Sequence, residues 1–328
     1  MNDFSEDQIY AEFDRRVDEG IIVFDKHYRT VPYSDNGFQI EFRVLSGLSR
    51  KPGVSNPSTP SIPSTSPSPT PSCSTPSSPT ISPSSSSSSP PTPSKSGFRP
   101  GSDINIQNFE IASSTTHLLA FNKFSSARPH LLFLTQDGYR RQHEALEIDD
   151  FTALWKLMGT FVKKRYMAIF NCGVDSGCSR LHKHMQVFGV EGGFKVWVDG
   201  EGEGNGDGNG ERVNGAVPFR YFLGRFEGGF PEPEELLRVY RGLLRRAEEA
   251  LGWDAEGKGK EAAPHNVVLD RKWMLVVPRR ASGLNGADAN AAAVLGMLWV
   301  SDEEKMNRWT EQGPAKVLAH LGVPAEGR

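Results

Sequence analysis

Asn171-Cys172-Gly173-Val174-Asp175-Ser176-Gly177-Cys178-Ser179-Arg180-Leu181-His182-Lys183-His184-Met185-Gln186-Val187-Phe188 is the stretch on which the reading of the chain turns. Cys172–Arg180, with two glycines and two serines, reads as a loop, and Leu181–Val190 reads as a strand. Residues two apart on a strand share a face, roughly 6.5–7 Å apart. His182, His184 and Gln186 therefore fall on one face, and Lys183, Met185 and Val187 on the other. Glycine lets backbone N–H groups approach an anion, and serine hydroxyls can donate as well. The segment thus combines a histidine pair with a candidate oxyanion cradle. Three chemistries compete for it: satisfied structural histidines, zinc held by His-x-His with Cys172 and Cys178 nearby, and a neutral imidazole attacking phosphorus. The zinc reading lacks an acidic ligand or a third histidine in the motif, and glutamine is a poor zinc ligand. In the nucleophilic reading the Gly/Ser loop and Gln186 hold the phosphate oxygens.

Outward from this stretch, the spacing predicts strands at Ala168–Asn171, Leu118–Phe121 and His130–Thr135. Ile148–Met167 reads as a helix, with Asp149 or Asp150 at its start. Ser5 and Gln8 have capping-box spacing ahead of Ile9, Phe13 and Val17, with Gly20 as a stop signal. Phe38-Gln39-Ile40-Glu41-Phe42-Arg43-Val44 alternates with period two, as a half-buried strand does. Further on, Pro233–Leu251 reads as a helix closed by Gly252. Asn266–Leu269 and Trp273–Val277 read as an apolar hairpin, and Ser301 with Glu304 as a capping box. Trp273 and Met274 belong to the hairpin core. Hairpins interleaved with few helices point to an antiparallel α+β fold, not a wound parallel sheet. No GxGxxG or Walker A pattern occurs.

Of the 42 residues in Ser55–Ser96, 37 are Ser, Pro or Thr. Such a segment buries too little apolar surface to offset its ordering entropy, so it is expected to be a disordered insertion. Gly200–Gly215 is expected to be a flexible surface loop. Over the 328 residues, 37 basic side chains against 40 acidic ones leave a net charge of −3, no footprint for nucleic acid or an anionic membrane. No apolar run approaches ~18 residues, so no membrane span is expected. The acidic start, Met1–Gln8, lacks the pattern of a secretory signal. Three cysteines do not make a disulfide framework and fit a reducing compartment, the cytoplasm or the nucleus. Cys178, set among anion-favouring donors, is expected to favour its thiolate and to react readily.

The motif His182-Lys183-His184-Met185-Gln186, preceded by Asn171-Cys172-Gly173 and Ser176-Gly177-Cys178-Ser179, resembles the active-site motif of the fungal-type diadenosine tetraphosphate phosphorylases. These are ATP adenylyltransferases of the histidine-triad superfamily, on the transferase branch shared with galactose-1-phosphate uridylyltransferase. Phe121-Asn122-Lys123-Phe124 followed by His130–Thr135 is similar to the family's strand pair ahead of the site. His265-Asn266-Val267-Val268-Leu269, Trp273–Arg279 and Asn290–Leu298 are similar to its C-terminal module. At two places the chain departs from the family's usual pattern: Arg180-Leu181 replaces a Gln-Pro pair, and Cys178 replaces an alanine.

The resemblance implies a histidine-triad-like antiparallel sheet with packed helices, interrupted by the Ser/Pro insertion. Residues 1–54 with 97–198 would form the catalytic module, and 216–328 a C-terminal module completing the fold. Residues 55–96 and 199–215 would be the insertion and the flexible loop. The implied reaction is phosphorolysis of diadenosine tetraphosphate, or a related dinucleoside polyphosphate, by inorganic phosphate to ADP and ATP. In it His184 is the nucleophile, Gln186 stabilises charge and His182 shapes the site. Asn171, Ser176, Gly177, Cys178 and Ser179 bind phosphate, and Lys123 and Lys51 are charge partners of the polyphosphate. Histidine-triad hydrolases carry a third histidine where Gln186 stands; glutamine cannot shuttle protons, which suits transfer to an acceptor other than water. No cofactor is expected to be tightly bound and no metal site is marked, although a divalent cation, Mg2+ or Mn2+, can accompany the polyphosphate. The alternatives are a catalytically weak nucleotide-binding or scaffold protein using the Ser/Pro tract for interactions, and a histidine-triad-type hydrolase.

Overall fold

Ser5 opens the first helix by a reciprocal cap. Its Oγ accepts the Gln8 N–H at 3.3 Å, while Gln8 Oε1 accepts the Ser5 N–H at 2.7 Å. The computed structural model describes residues 4–51, 98–190, 193–200, 216–256 and 258–325. Its first half runs α1 (Glu6–Asp18), β1 (Arg29–Asp35), β2 (Phe38–Val44), β3 (Glu110–Ser113), β4 (His117–Phe121), β5 (His130–Thr135), α2 (Ile148–Thr160), β6 (Tyr166–Cys172) and β7 (His184–Gly189). Its second half runs α3 (Trp197–Gly200), β8 (Phe222–Arg225), α4 (Pro233–Leu251), β9 (His265–Leu269), β10 (Trp273–Pro278), β11 (Gly283–Leu284), β12 (Ala287–Asp288), β13 (Met297–Val300), α5 (Glu303–Gln312) and α6 (Pro314–Leu321). The expected insertion Ser55–Ser96 lies outside the described residues. So does the expected glycine loop after Gly200, the last residue of α3.

Eight strands form one sheet in the order β3-β4-β5-β7-β6-β9-β10-β8, every neighbour antiparallel. Strands from both halves of the chain meet where β6 pairs with β9, so one sheet carries the site and its support. The fold is α+β, as the alternation of hairpins and helices implied. One face packs Met185 and Val187 against Phe13 of α1, Leu154 and Leu157 of α2, and Leu236 and Tyr240 of α4. The other packs Ile169, Phe188, Val268 and Leu275 against Phe42 of β2, Leu298 of β13 and Leu318 of α6. On that second face β1, β2 and β13 make a smaller sheet, in which β13 runs parallel to β2. Among the described residues no helix is long and apolar enough to cross a membrane.

Four sequence expectations shift, each for a tertiary reason. Helix α2 ends at Thr160, not Met167. Phe161 leaves helical geometry and its ring stacks on Tyr166 with centroids 3.9 Å apart, while the Glu6 carboxylate accepts the N–H groups of Val162 and Lys163. At the start of α2 the cap is Glu147, and Asp150 reaches back to accept its N–H at 2.7 Å. Helix α5 is capped by Asp302, which accepts the Lys305 N–H at 2.9 Å, and Ser301 donates to the Asp302 carboxylate. Strand β7 begins at His184 instead of Leu181. The Asp103 carboxylate takes the N–H groups of Leu181 and His182, leaving His182 in a single bridge to Arg141. The Gln142 carboxamide separates β6 from β7 there, accepting the His184 N–H and donating to the carbonyls of Asn171 and His184.

Candidate active site

His184, 7% exposed, stands at the first position of β7. Its Nδ1 lies 2.8 Å from the His182 carbonyl oxygen. A carbonyl can only accept, so Nδ1 carries the ring proton and the Nε2 lone pair is left available. No described residue bonds to Nε2. Burial lowers the pKa to about 4, which the bond to the His182 carbonyl only partly opposes, so the ring is neutral at ordinary pH.

His182 is engaged on both sides and fully buried. Its Nε2 lies 3.0 Å from the Thr135 carbonyl and therefore carries a proton, and its Nδ1 accepts from Ser102 Oγ at 2.8 Å. Neither nitrogen has a lone pair to offer an electrophile. Sequence alternation put His182 and His184 on one strand face and left the choice between them open; these hydrogen bonds give them different capacities.

Gln186 has its carboxamide fixed by a residue that sequence reading treated only as the start of a strand. His130 Nδ1 accepts the Ser126 N–H at 3.1 Å, so Nε2 holds the proton and donates to Gln186 Oε1 at 2.8 Å. With its oxygen occupied, Gln186 turns its NH2 outward as a donor. Burial keeps His130 neutral, with a pKa of about 4. Asn122 Nδ2 lies 3.4 Å from His130 Nε2, which brings Asn122, not its neighbour Lys123, to the histidines. The exposed Lys123 ammonium sits over the Phe124 ring.

The loop between β6 and β7 is shaped by its glycines. Gly177 has φ +83°, and a Cβ there would lie 2.1 Å from the Ala289 carbonyl oxygen, so only glycine fits. The Ser176 side chain departs from its expected role as a phosphate donor. It is fully buried, and its hydroxyl donates to the Gly173 carbonyl at 2.6 Å, closing the turn. Among the described residues no acceptor takes the backbone N–H of Cys178 or Ser179. Lys51 Nζ lies 3.4 Å from Ser179 Oγ, and its charge is felt at both His130 and His184. The Cys178 expectation is corrected: burial pushes its thiol up to about 11, and Asp103 and Asp175 add to the shift, so the thiolate is disfavoured.

Asn171 sits at the end of β6, two residues beyond the Ile169–Gln186 pair and so on the face of His184. Its Oδ1 accepts from Asn266 Nδ2 at 2.9 Å and from the Ala291 N–H at 2.8 Å. Lys183 points to the opposite face, as alternation predicted, where its ammonium meets Asp150 at 2.7 Å. Among the described residues no three His, Cys, Asp or Glu side chains gather as a metal site. Ser102, Asp103, Thr135, His130, Gln142 and Asn266 had no mark in the motif. They lie tens of residues from it, and only the folded sheet brings them there.

Residues 98–193 match the model of the Ap4A phosphorylase N-terminal domain, and residues 215–324 that of the ATP adenylyltransferase C-terminal domain; together the matches take in more than half of the chain. The chain is 29% identical over 227 residues to diadenosine 5',5'''-P1,P4-tetraphosphate phosphorylase 2 of Saccharomyces cerevisiae, covering 63% of this chain and 69% of that protein. It is 27% identical over 242 residues to Protein APA1 of the same yeast, covering 67% and 73%. Its fold is that of yeast Ap4A phosphorylase Apa2 in complex with Ap4A, with a TM-score of 0.69 at 20% identity over 98% of this chain and 97% of the other. The same enzyme in complex with AMP gives a TM-score of 0.65 at 20% identity over 98% and 97%. The chain belongs to the Ap4A phosphorylase family, carrying its N-terminal domain and its ATP adenylyltransferase C-terminal domain in that order.

Proposed function

We propose that the protein catalyses phosphorolysis of diadenosine tetraphosphate through an AMP–histidine intermediate. The observation that carries this reading is the hydrogen bond from His184 Nδ1–H to the His182 carbonyl, which leaves Nε2 as an unprotonated nucleophile. In the first half-reaction Nε2 attacks the α-phosphorus, the bond to the bridging oxygen breaks, and ATP leaves with that oxygen. The adducted ring keeps its Nδ1 proton and becomes cationic, a charge that the His182 carbonyl dipole stabilises. In the second, an oxygen of inorganic phosphate attacks the same phosphorus, the P–N bond breaks, and ADP departs as His184 returns to neutral. One difficult displacement is thereby split into two easier ones.

The other side chains support charge on the phosphoryl oxygens. Gln186, aimed by His130, presents two N–H donors. The N–H groups of Cys178 and Ser179 and the Lys51 ammonium supply further donors along the polyphosphate. A divalent cation accompanying the polyphosphate would neutralise part of its charge.

The test is nucleotide consumption by purified protein with and without inorganic phosphate. Phosphate-dependent formation of ADP and ATP in equal amounts is expected. Release of AMP without phosphate would make the protein a hydrolase, and tight binding without turnover would make it a binder.

A further inference from the structure

Behind Asn171 lies a buried relay in which the direction of every hydrogen bond is dictated. Arg279, 2% exposed, can only donate. Its Nη1 donates to Asn266 Oδ1, Nη2 to the carbonyls of Ala281 at 2.8 Å and Ala289 at 3.1 Å, and Nε to that of Leu321 at 3.2 Å. Because the Asn266 oxygen is taken by Arg279, its Nδ2 faces the other way and donates to Asn171 Oδ1 at 2.9 Å and the Ser176 carbonyl at 2.8 Å. The second lone pair of Asn171 Oδ1 accepts the Ala291 N–H, itself an obligate donor. The Asn171 amide is therefore held with its oxygen toward β9 and its NH2 turned away from it, on the face of the sheet that carries His184. No described residue accepts from that NH2. Arg279 also steadies the Ala289 carbonyl against which Gly177 packs; among the described residues no carboxylate forms an ion pair with it, and Asp175 acts on it only through its charge.

We infer that Asn266 and Arg279 are positioning residues, supplied by the C-terminal half of the chain, that aim the Asn171 carboxamide as a hydrogen-bond donor at the phosphoryl group transferred to His184. The inference rests on the phosphorolysis reading, which supplies the phosphoryl group. An amide free to turn over would present its oxygen to the phosphate half the time, replacing attraction by repulsion. Fixing it from behind removes that state before substrate arrives.

Asn266→Asp tests this with little change of shape. The new carboxylate still accepts from Arg279 but faces Asn171 Oδ1 with an acceptor, so the Asn171 amide turns over. Single-turnover adduct formation from diadenosine tetraphosphate should slow by about 10²-fold, with KM changed less than about threefold because Asn266 makes no contact with Lys51, Cys178 or Ser179, which supply the polyphosphate donors. In a double-mutant cycle, Asn266→Asp should have no further effect in an Asn171→Ala background, since Asn266 acts through Asn171. Arg279→Lys, which keeps the charge and loses the fork, is run through the same cycle with the same coupling expected, and it decides the matter should Asn266→Asp fail to fold by its thermal melt. Unchanged adduct formation in a folded variant, or effects that multiply with Asn171→Ala, would overturn the inference. A wild-type protein that makes no ADP with phosphate would instead overturn the phosphorolysis reading.

Discussion

Strand β7 has two faces with opposite arrangements of polar groups. On the helix side, Lys183 Nζ donates to the Ala145 carbonyl at 2.6 Å and to Asp150 at 2.7 Å, and His117 Nε2 meets the other Asp150 oxygen at 3.0 Å. His117 in turn stacks on Phe133. Lys183 and Asp150 are charges taken out of water and paired, and Asp150 stays ionised with a pKa of about 2: its partners outweigh a burial penalty that acts the other way. On the other side, one and three residues along, His184 and Gln186 each use one ring or amide atom as an anchor and leave the other without a described partner. The difference separates a network built to be complete from one built to be completed by a ligand. In the first the buried charges pair with each other; in the second the nucleophile is a neutral imidazole, and the cations near it, Lys51 and the buried Arg279, stand behind or beside its donors.

Removal of the nucleophile should have the largest consequence. His184→Asn should cut turnover by at least about 10⁴-fold while nucleotide still binds, measured by steady-state assay and by calorimetry. On the reverse face, Lys183→Met should strand the buried Asp150 carboxylate and cost about 3–5 kcal/mol, read as a melting temperature lower by roughly 10 °C. Adding Asp150→Asn should recover part of that loss. A melt unchanged by Lys183→Met would mean that the ion pair contributes nothing to stability. Smaller again, His130→Phe should slow adduct formation by about 10-fold by freeing the Gln186 amide to turn over, whereas Gln186→Ala should lose about 10²-fold. Equal stability with unchanged rates in both would remove Gln186 from the mechanism. The smallest effect concerns pH. A His184 pKa of about 4 means the nucleophile is neutral well above that value and is lost only as pH falls through it. Single-turnover adduct formation should vary less than about twofold between pH 7.5 and 5.5. An acid limb centred near 6.5 would contradict the burial-lowered pKa.

What the sequence made legible was local. The Ser5–Gln8 cap, the Phe38–Val44 strand and the Trp273 hairpin follow from short-range periodicity and propensity, and they fold as read. The α2 terminus did not, because Glu6, some 155 residues away, captures the N–H groups of Val162 and Lys163. The site divided in the same way. His182, His184 and Gln186 stood out as a motif, yet their division of labour depends on partners that no spacing reveals: Ser102, Thr135 and His130. Ser176 and Cys178 misled for a shared reason. Composition marked the loop as an anion cradle, but which of its polar groups face outward is set by burial. Ser176 spends its hydroxyl on the turn, and Cys178 has its thiolate disfavoured.

Trapping the covalent bond shows whether His184 Nε2 makes it. The wild-type protein is mixed with radiolabelled diadenosine tetraphosphate without phosphate, quenched in base, and digested for mapping of the acid-labile AMP adduct. Stoichiometric label on His184, discharged as ADP when phosphate is added before the quench, is expected. Label on His182, or no adduct alongside normal turnover, would contradict His184 as the nucleophile.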